Sequence, residues 1–122
     1  MPNKAEHLHI AQSHEGFSDY LITNDKHLDW AITGIFYVAI HYVEAYLDHK
    51  LQYHSASHRT RDSTMARMGH LRSIYDEFND LKNDSIQARY FGTNFTLSDI
   101  DSRTKPSLKK IKTHVDGLLS VP

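Results

Sequence analysis

The chain contains no cysteine. Disulfide frameworks, thiolate metal sites and cysteine nucleophiles are therefore excluded, and a reducing compartment is the expected setting. Glycine and proline are scarce, five and three in 122 residues. That is too few for the turns of a many-stranded sheet or for a glycine-rich phosphate loop. No GxSxG, GxGxxG or HExxH string occurs, so nucleophile-elbow, dinucleotide and zincin readings have no footing. No apolar run reaches the ~20 residues of a membrane span, because the richest one carries His41, Glu44 and Asp48. The opening MPNKAEHLHIAQSHEG has no continuous apolar core of the signal-peptide kind. A single cytoplasmic domain over residues 1–122, with no membrane association, is the expectation. Net charge is -1 with histidine neutral, so bulk charge favours no partner.

What is abundant is histidine, ten residues in all, and helical periodicity. The segment LDWAITGIFYVAIHYVEAYLD, from Leu28 to Asp48, is apolar nearly all round. Within it Thr33, Tyr37, His41, Glu44 and Asp48 fall at spacings of 4, 4, 3 and 4, which on a helix makes one polar stripe. Such a stripe on a central helix presents itself to a cleft, a partner or buried polar groups.

Around this helix the spacing predicts an all-α fold, an up-and-down bundle of four to five helices. The first helix is expected from about Lys4 to Leu21, with Ala5, Leu8, Ala11, Phe17 and Leu21 inward. Asn24 or Asp25 is the expected N-cap of the central helix, which should reach about Leu51. A connector over 53–57 leads to a third helix, capped by Ser55 or Ser57 and ending near Arg67. Leu71, Ile74, Tyr75, Phe78, Leu81 and Ala88 define a fourth, with a bend at Asn83-Asp84-Ser85 and a stop at Gly92. Residues 95–100 read as loop or short turn. A last helix begins near Pro106 and buries Leu108, Ile111, Val115, Leu118 and Leu119. The central helix is apolar over a wider arc than one neighbour needs, so a homodimer is expected.

Two basic stretches stand out. Residues 54–72 hold Arg59, Arg61, Arg67 and Arg72 against Asp62 alone, and residues 103–114 hold five cations and no acid. They suit an anionic ligand or, equally, a solvated helix face. The candidate ligand- or phosphate-binding residues are Tyr37, His41, His58, Arg59, Arg61, Arg89 and Tyr90. Arginine offers paired donors to phosphate oxygens, histidine moves protons near neutral pH, and tyrosine stacks on a base. In the competing structural reading, Arg89 pairs with Glu44 or Asp48 and Tyr90 packs. Metal-ligand spacings are incomplete. Glu6-x-x-His9 has no second copy for a di-iron site, and His54 and His58, four apart, have Ser55, Ala56 and Ser57 between them and no Glu as in HExxH. No metal and no cofactor are expected.

The strings WAITGIFYVAIHYVEAYL, HSASHRTRD and IYDEFNDLKNDSIQARY resemble the bacterial and archaeal HEPN-like helical proteins. The matching residues are Trp30, Phe36-Tyr37, His41, Ser57-His58-Arg59-Thr60-Arg61, Tyr75, Leu81, Ser85, Ala88, Arg89 and Tyr90, about half of the chain. The resemblance implies an up-and-down bundle, commonly a symmetric dimer. It also implies association with RNA, toxin–antitoxin or phage-defence systems. In the active branch an Arg and a downstream His, with four to six residues between them, form a metal-independent ribonuclease site. Here the positions after Arg59 hold Thr64, Met65 and Ala66, and those after Arg61 hold Ala66, Arg67 and Met68. That motif is absent. Three functions stay open: a small domain binding RNA or a nucleotide, a divergent ribonuclease using the His/Arg/Tyr set, and a non-catalytic protein-interaction module.

Overall fold

The protein is described here by a computed structural model over residues 2–121. It is helical throughout, with no strand among the described residues. Helix α1 is Lys4–Thr23, opened by a capping box. The Asn3 side chain accepts from the Glu6 N–H at 2.9 Å, and Glu6 Oε1 accepts from the Asn3 N–H at 3.2 Å. Helix α2 is Leu28–Leu51. Asn24 and Asp25 do not cap it: Asn24 closes α1 instead, and His27, in the left-handed region at φ 49°, precedes α2 with no side-chain cap. Helix α3, His58–Arg67, is capped by Ser57, whose Oγ accepts from the Thr60 N–H.

The expected fourth helix is divided. A short α4, Gly69–Arg72, is followed by α5, Tyr75–Tyr90. Leu71 and Ile74 are both fully buried across the break, so their apolar spacing survives it. No bend occurs at Asn83-Asp84-Ser85: Ser85 turns into the core, and Asp84 pairs with Arg103 on the outer side. Gly92, at φ 62°, ends α5 with a bond from the Thr93 N–H to the Gln87 carbonyl. The expected loop at 95–100 is partly helical. Helix α6, Leu97–Asp99, has a Thr96–Asp99 capping box and runs through a π-turn over Ile100–Thr104 into α7, Lys105–Leu119. These short segments take the helix count beyond the expected four to five.

The long helices alternate in direction. The Ser18 hydroxyl meets the Ala31 carbonyl while the Lys4 N–H meets Asp48, so α1 and α2 are antiparallel. Arg103–Asp84 and Lys110–Glu77 pairs set α7 antiparallel to α5. α2 is the hub and packs against α1, α5 and α7. Fourteen of its 24 residues are buried. Phe36 meets Phe78 of α5 edge-on at 5.4 Å, a geometry worth about 0.5–1.5 kcal/mol beyond area burial. The surplus apolar arc from which a homodimer was inferred is therefore covered within one chain. On α1 the inward face is His7, Ala11, Ser18 and Leu21, whereas Ala5 and Phe17 are exposed.

The basic stretch at 103–114 is spent on the fold. Arg103 pairs with Asp84, Lys105 with Asp19, Lys110 with Glu77 and Lys112 with Glu15. These cations stitch α7 and its lead-in to α1 and α5.

α1 and α2 approach closely at Gly34. A Cβ placed there would lie 2.2 Å from Ser18 Oγ, which is buried and donates to the Ala31 carbonyl at 3.0 Å. Gly34→Ala gains helix propensity of about 1 kcal/mol. It must also evict the hydroxyl from its bond, which costs about 1–3 kcal/mol. A net loss of about 1 kcal/mol in urea denaturation is expected. With Ser18→Ala in place, Gly34→Ala should cost nothing further.

Candidate functional site

The polar stripe of α2 faces α1 and the segment that follows α2. How that segment returns is set at the helix end. Gln52 adopts the left-handed region at φ 49°, and the Tyr53 N–H bonds back to the Leu47 carbonyl at 3.3 Å. This reversal, of the kind glycine usually makes, lays residues 53–61 along the stripe.

Each stripe residue then has a partner. Thr33 Oγ1 donates to the Asp29 carbonyl at 2.9 Å. Tyr37 lies 6.0 Å, ring to ring, from His14 of α1. His41 stacks on His14 at 5.7 Å, and its Nδ1 is 2.9 Å from Nδ1 of the buried His7. Glu44, also buried, accepts from Arg61 Nε at 2.7 Å through Oε1 and from the Ser55 N–H at 3.3 Å through Oε2. Asp48 accepts the Lys4 N–H at 2.8 Å at the positive end of α1, and its other oxygen lies 3.3 Å from His54 Nε2. Four histidines, two carboxylates and one guanidinium thus share one polar seam.

The seam disfavours charge on imidazole. His41 is pushed down to about 4, first by burial and then by His7, His14 and Arg61, against Glu44. His7 is also lowered, by burial first, with His54 and Arg61 adding to it and Glu44 and Asp48 opposing. The 2.9 Å contact between the two Nδ1 atoms needs one proton between them, so at least one of these nitrogens is an acceptor.

The seven candidate residues do not converge on one cleft. His41 and Arg61 belong to the seam, with Tyr37 at its edge. Arg61 is committed to Glu44, the carboxylate that one structural reading gave to Arg89. His58 sits at the start of α3, stacked on Phe36 at 5.9 Å with its Nδ1 3.0 Å from Arg61. Burial, then Arg61, with Arg89 and Lys82 behind, lowers its pKa. Arg59 is exposed on α3. Arg89 and Tyr90 lie elsewhere, in a cleft of about 290 Å³ with Asp29, Trp30, Thr33 and Ala88. Trp30 precedes His41 by eleven residues, about 16 Å along α2. In this cleft Arg89 donates to the Ser85 carbonyl and its guanidinium lies 5.1 Å from the Tyr90 ring centre. Trp30 and Tyr90 are 57% and 70% exposed.

Sequence reasoning missed His7 and His14, and weighed His54 only as a pair with His58. A signal for the first two was present: His7, Ala11 and His14 fall on one face of α1. The actual partner of His54 had none, because only the reversal at Gln52 brings it to Asp48. Glu6 and His9, considered as a di-iron half-site, are both exposed.

Arg61→Met leaves Glu44 buried without its cation, and a loss of about 3–5 kcal/mol is expected. Glu44→Leu with Arg61→Met should recover most of it in urea denaturation. The depressed imidazoles predict a pH dependence. Between the unfolded value of 6.5 and about 4, the unfolded chain takes up protons that the folded seam refuses. Stability measured in chelator should be fully present above pH 6.5 and decline as pH falls toward 4. His41→Gln should flatten that decline.

No family model matches the chain, and no curated protein or solved structure is similar enough to match it.

Proposed function

We propose that this is an HEPN-like helical domain that binds single-stranded RNA or a nucleotide at the Trp30–Arg89–Tyr90 cleft, without cleaving it. The observation carrying this reading is the exposure of two large aromatic rings on one cleft that a guanidinium also lines. Aromatic faces stack bases at about 1–3 kcal/mol each, and arginine takes the phosphate. Asp29, in the same cleft, accepts from base amino groups. A neighbouring depression shares Asp29 and Ala88 and runs to Gly92, Thr93 and Asn94, which extends the surface along a strand of nucleic acid.

Binding is favoured over cleavage because neither His41 nor His58 lines the cleft, and Arg61 is held by Glu44. The Arg-x4–6-His pattern is missing as well. Further support is the resemblance itself, which includes Trp30, Arg89 and Tyr90 and brings with it the homodimer and the toxin–antitoxin or defence setting.

Trp30 is the only tryptophan, so its fluorescence reports on the cleft directly. Titration with a short single-stranded oligoribonucleotide should quench it saturably, with affinity falling as salt rises. Arg89→Ala should weaken binding about tenfold and reduce the salt slope, and Tyr90→Ala should weaken it with the slope unchanged. Absence of quenching at low salt would discard this reading.

A further inference from the structure

The seam leaves two buried nitrogens without a hydrogen-bond partner, His7 Nε2 and His54 Nδ1. Each belongs to a ring whose other nitrogen is engaged, by His41 Nδ1 and by Asp48 respectively. One nitrogen of each ring and a Glu44 oxygen lie within 4.8 Å of one another. His7 is 5% and Glu44 4% exposed. A buried polar atom left unpaired costs about 1–3 kcal/mol, and two rings with such atoms, converging on one carboxylate, call for a shared ligand.

We propose that His7 Nε2, Glu44 and His54 Nδ1 form a binding site for one divalent transition-metal ion, of the class that accepts two imidazoles and a carboxylate.

The outer contacts are the ones such a site needs. Asp48 Oδ1 lies 3.3 Å from His54 Nε2, so a carboxylate backs this ring and Nδ1 is the nitrogen left for an ion, the carboxylate–histidine–metal arrangement. Of the two tautomers compatible with the His7–His41 contact, the one in which His7 Nδ1–H donates to His41 leaves His7 Nε2 as a ligand. Arg61 Nε holds Glu44 by Oε1 at 2.7 Å, and Oε2, which accepts only the longer 3.3 Å bond from the Ser55 N–H, keeps a lone pair for the ion. Glu44 and Asp48 together outweigh the charge of Arg61 by one, which favours a dication. Zinc ligands at about 2.0–2.1 Å from the ion stand about 3.3 Å apart, so binding draws the three atoms inward. His54 is the one of the three that lies on the connector and not within a helix. The set joins α1, α2 and the connector, which is why spacing within single helices predicted no metal.

The test uses the full chain stripped with chelator, titrated with Zn²⁺ by calorimetry and with Co²⁺ by visible absorption. One equivalent should bind in the micromolar range or tighter, with the absorption of a low-coordinate Co²⁺ centre, and should raise the melting temperature. His7→Ala removes a buried ring and endangers the fold, so the decisive variants are His54→Ala and Glu44→Gln, each checked by melting. Both should lower affinity at least about tenfold, while His9→Ala, on the exposed face of α1, changes nothing. No saturable uptake would overturn the site, as would uptake that His54→Ala and Glu44→Gln leave intact or that His9→Ala removes. Trp30 quenching by RNA in His54→Ala reports on the aromatic cleft separately.

Discussion

The structure depends on the buried ion pair between Glu44 and Arg61. A carboxylate on the inner face of the hub helix has no water to solvate it, and left alone it would cost several kcal/mol. Arg61 reaches it only if the chain turns back at the end of α2 and runs along the stripe. The left-handed Gln52 and the bond from Tyr53 to Leu47 are the local means. The same return delivers the Ser55 N–H to Glu44, His54 to Asp48 and His58 to the Phe36 ring. One electrostatic requirement thereby fixes the connector, the start of α3 and most of the polar seam.

The distribution of charge has a different outcome at the two basic stretches. Between 103 and 114, four cations meet carboxylates of α1 and α5. Such pairs, partly exposed, contribute about 0–1 kcal/mol each. Their larger effect is to neutralise the surface that a phosphate backbone would seek. In the 54–72 stretch Arg61 is consumed by Glu44 and Arg72 bonds the Ala66 carbonyl. In the proposed reading, recognition of an anion is given to Arg89, which shares its cleft with two exposed aromatic rings.

The two sites lie at different levels of the same helix. Trp30 opens the aromatic cleft near the start of α2, and Glu44 anchors the seam fourteen residues later, about 21 Å away along the axis. The seam is largely enclosed, and its His7 and His41 rings resist protonation, so the chemistry of these two is that of lone pairs. The cleft is open, and the chemistry proposed for it is stacking and ion pairing. A fold in which α2 is surrounded on three sides leaves these two places, its first turn and its polar stripe, for function.

Helical class, the extent of α1 and α2, the Ser57 cap, the Gly92 stop and the burial of Leu108, Ile111 and Val115 were legible in the sequence. Each depends on local propensity or on three- and four-residue spacing, which neighbours along the chain decide. The stripe was legible too, down to its five residues. Its partners were not. Nothing in HSASHRTR tells which of His54, His58 and Arg61 will turn inward, because that follows from the reversal at Gln52, a residue with no special preference for it. The break between α4 and α5, the pairing of the 103–112 cations and the placement of Arg89 beside Trp30 depend likewise on which helices touch. Periodicity says that a face is buried or polar. Only packing decides what that face meets, since contacts between residues far apart in sequence are set by the geometry of the whole bundle.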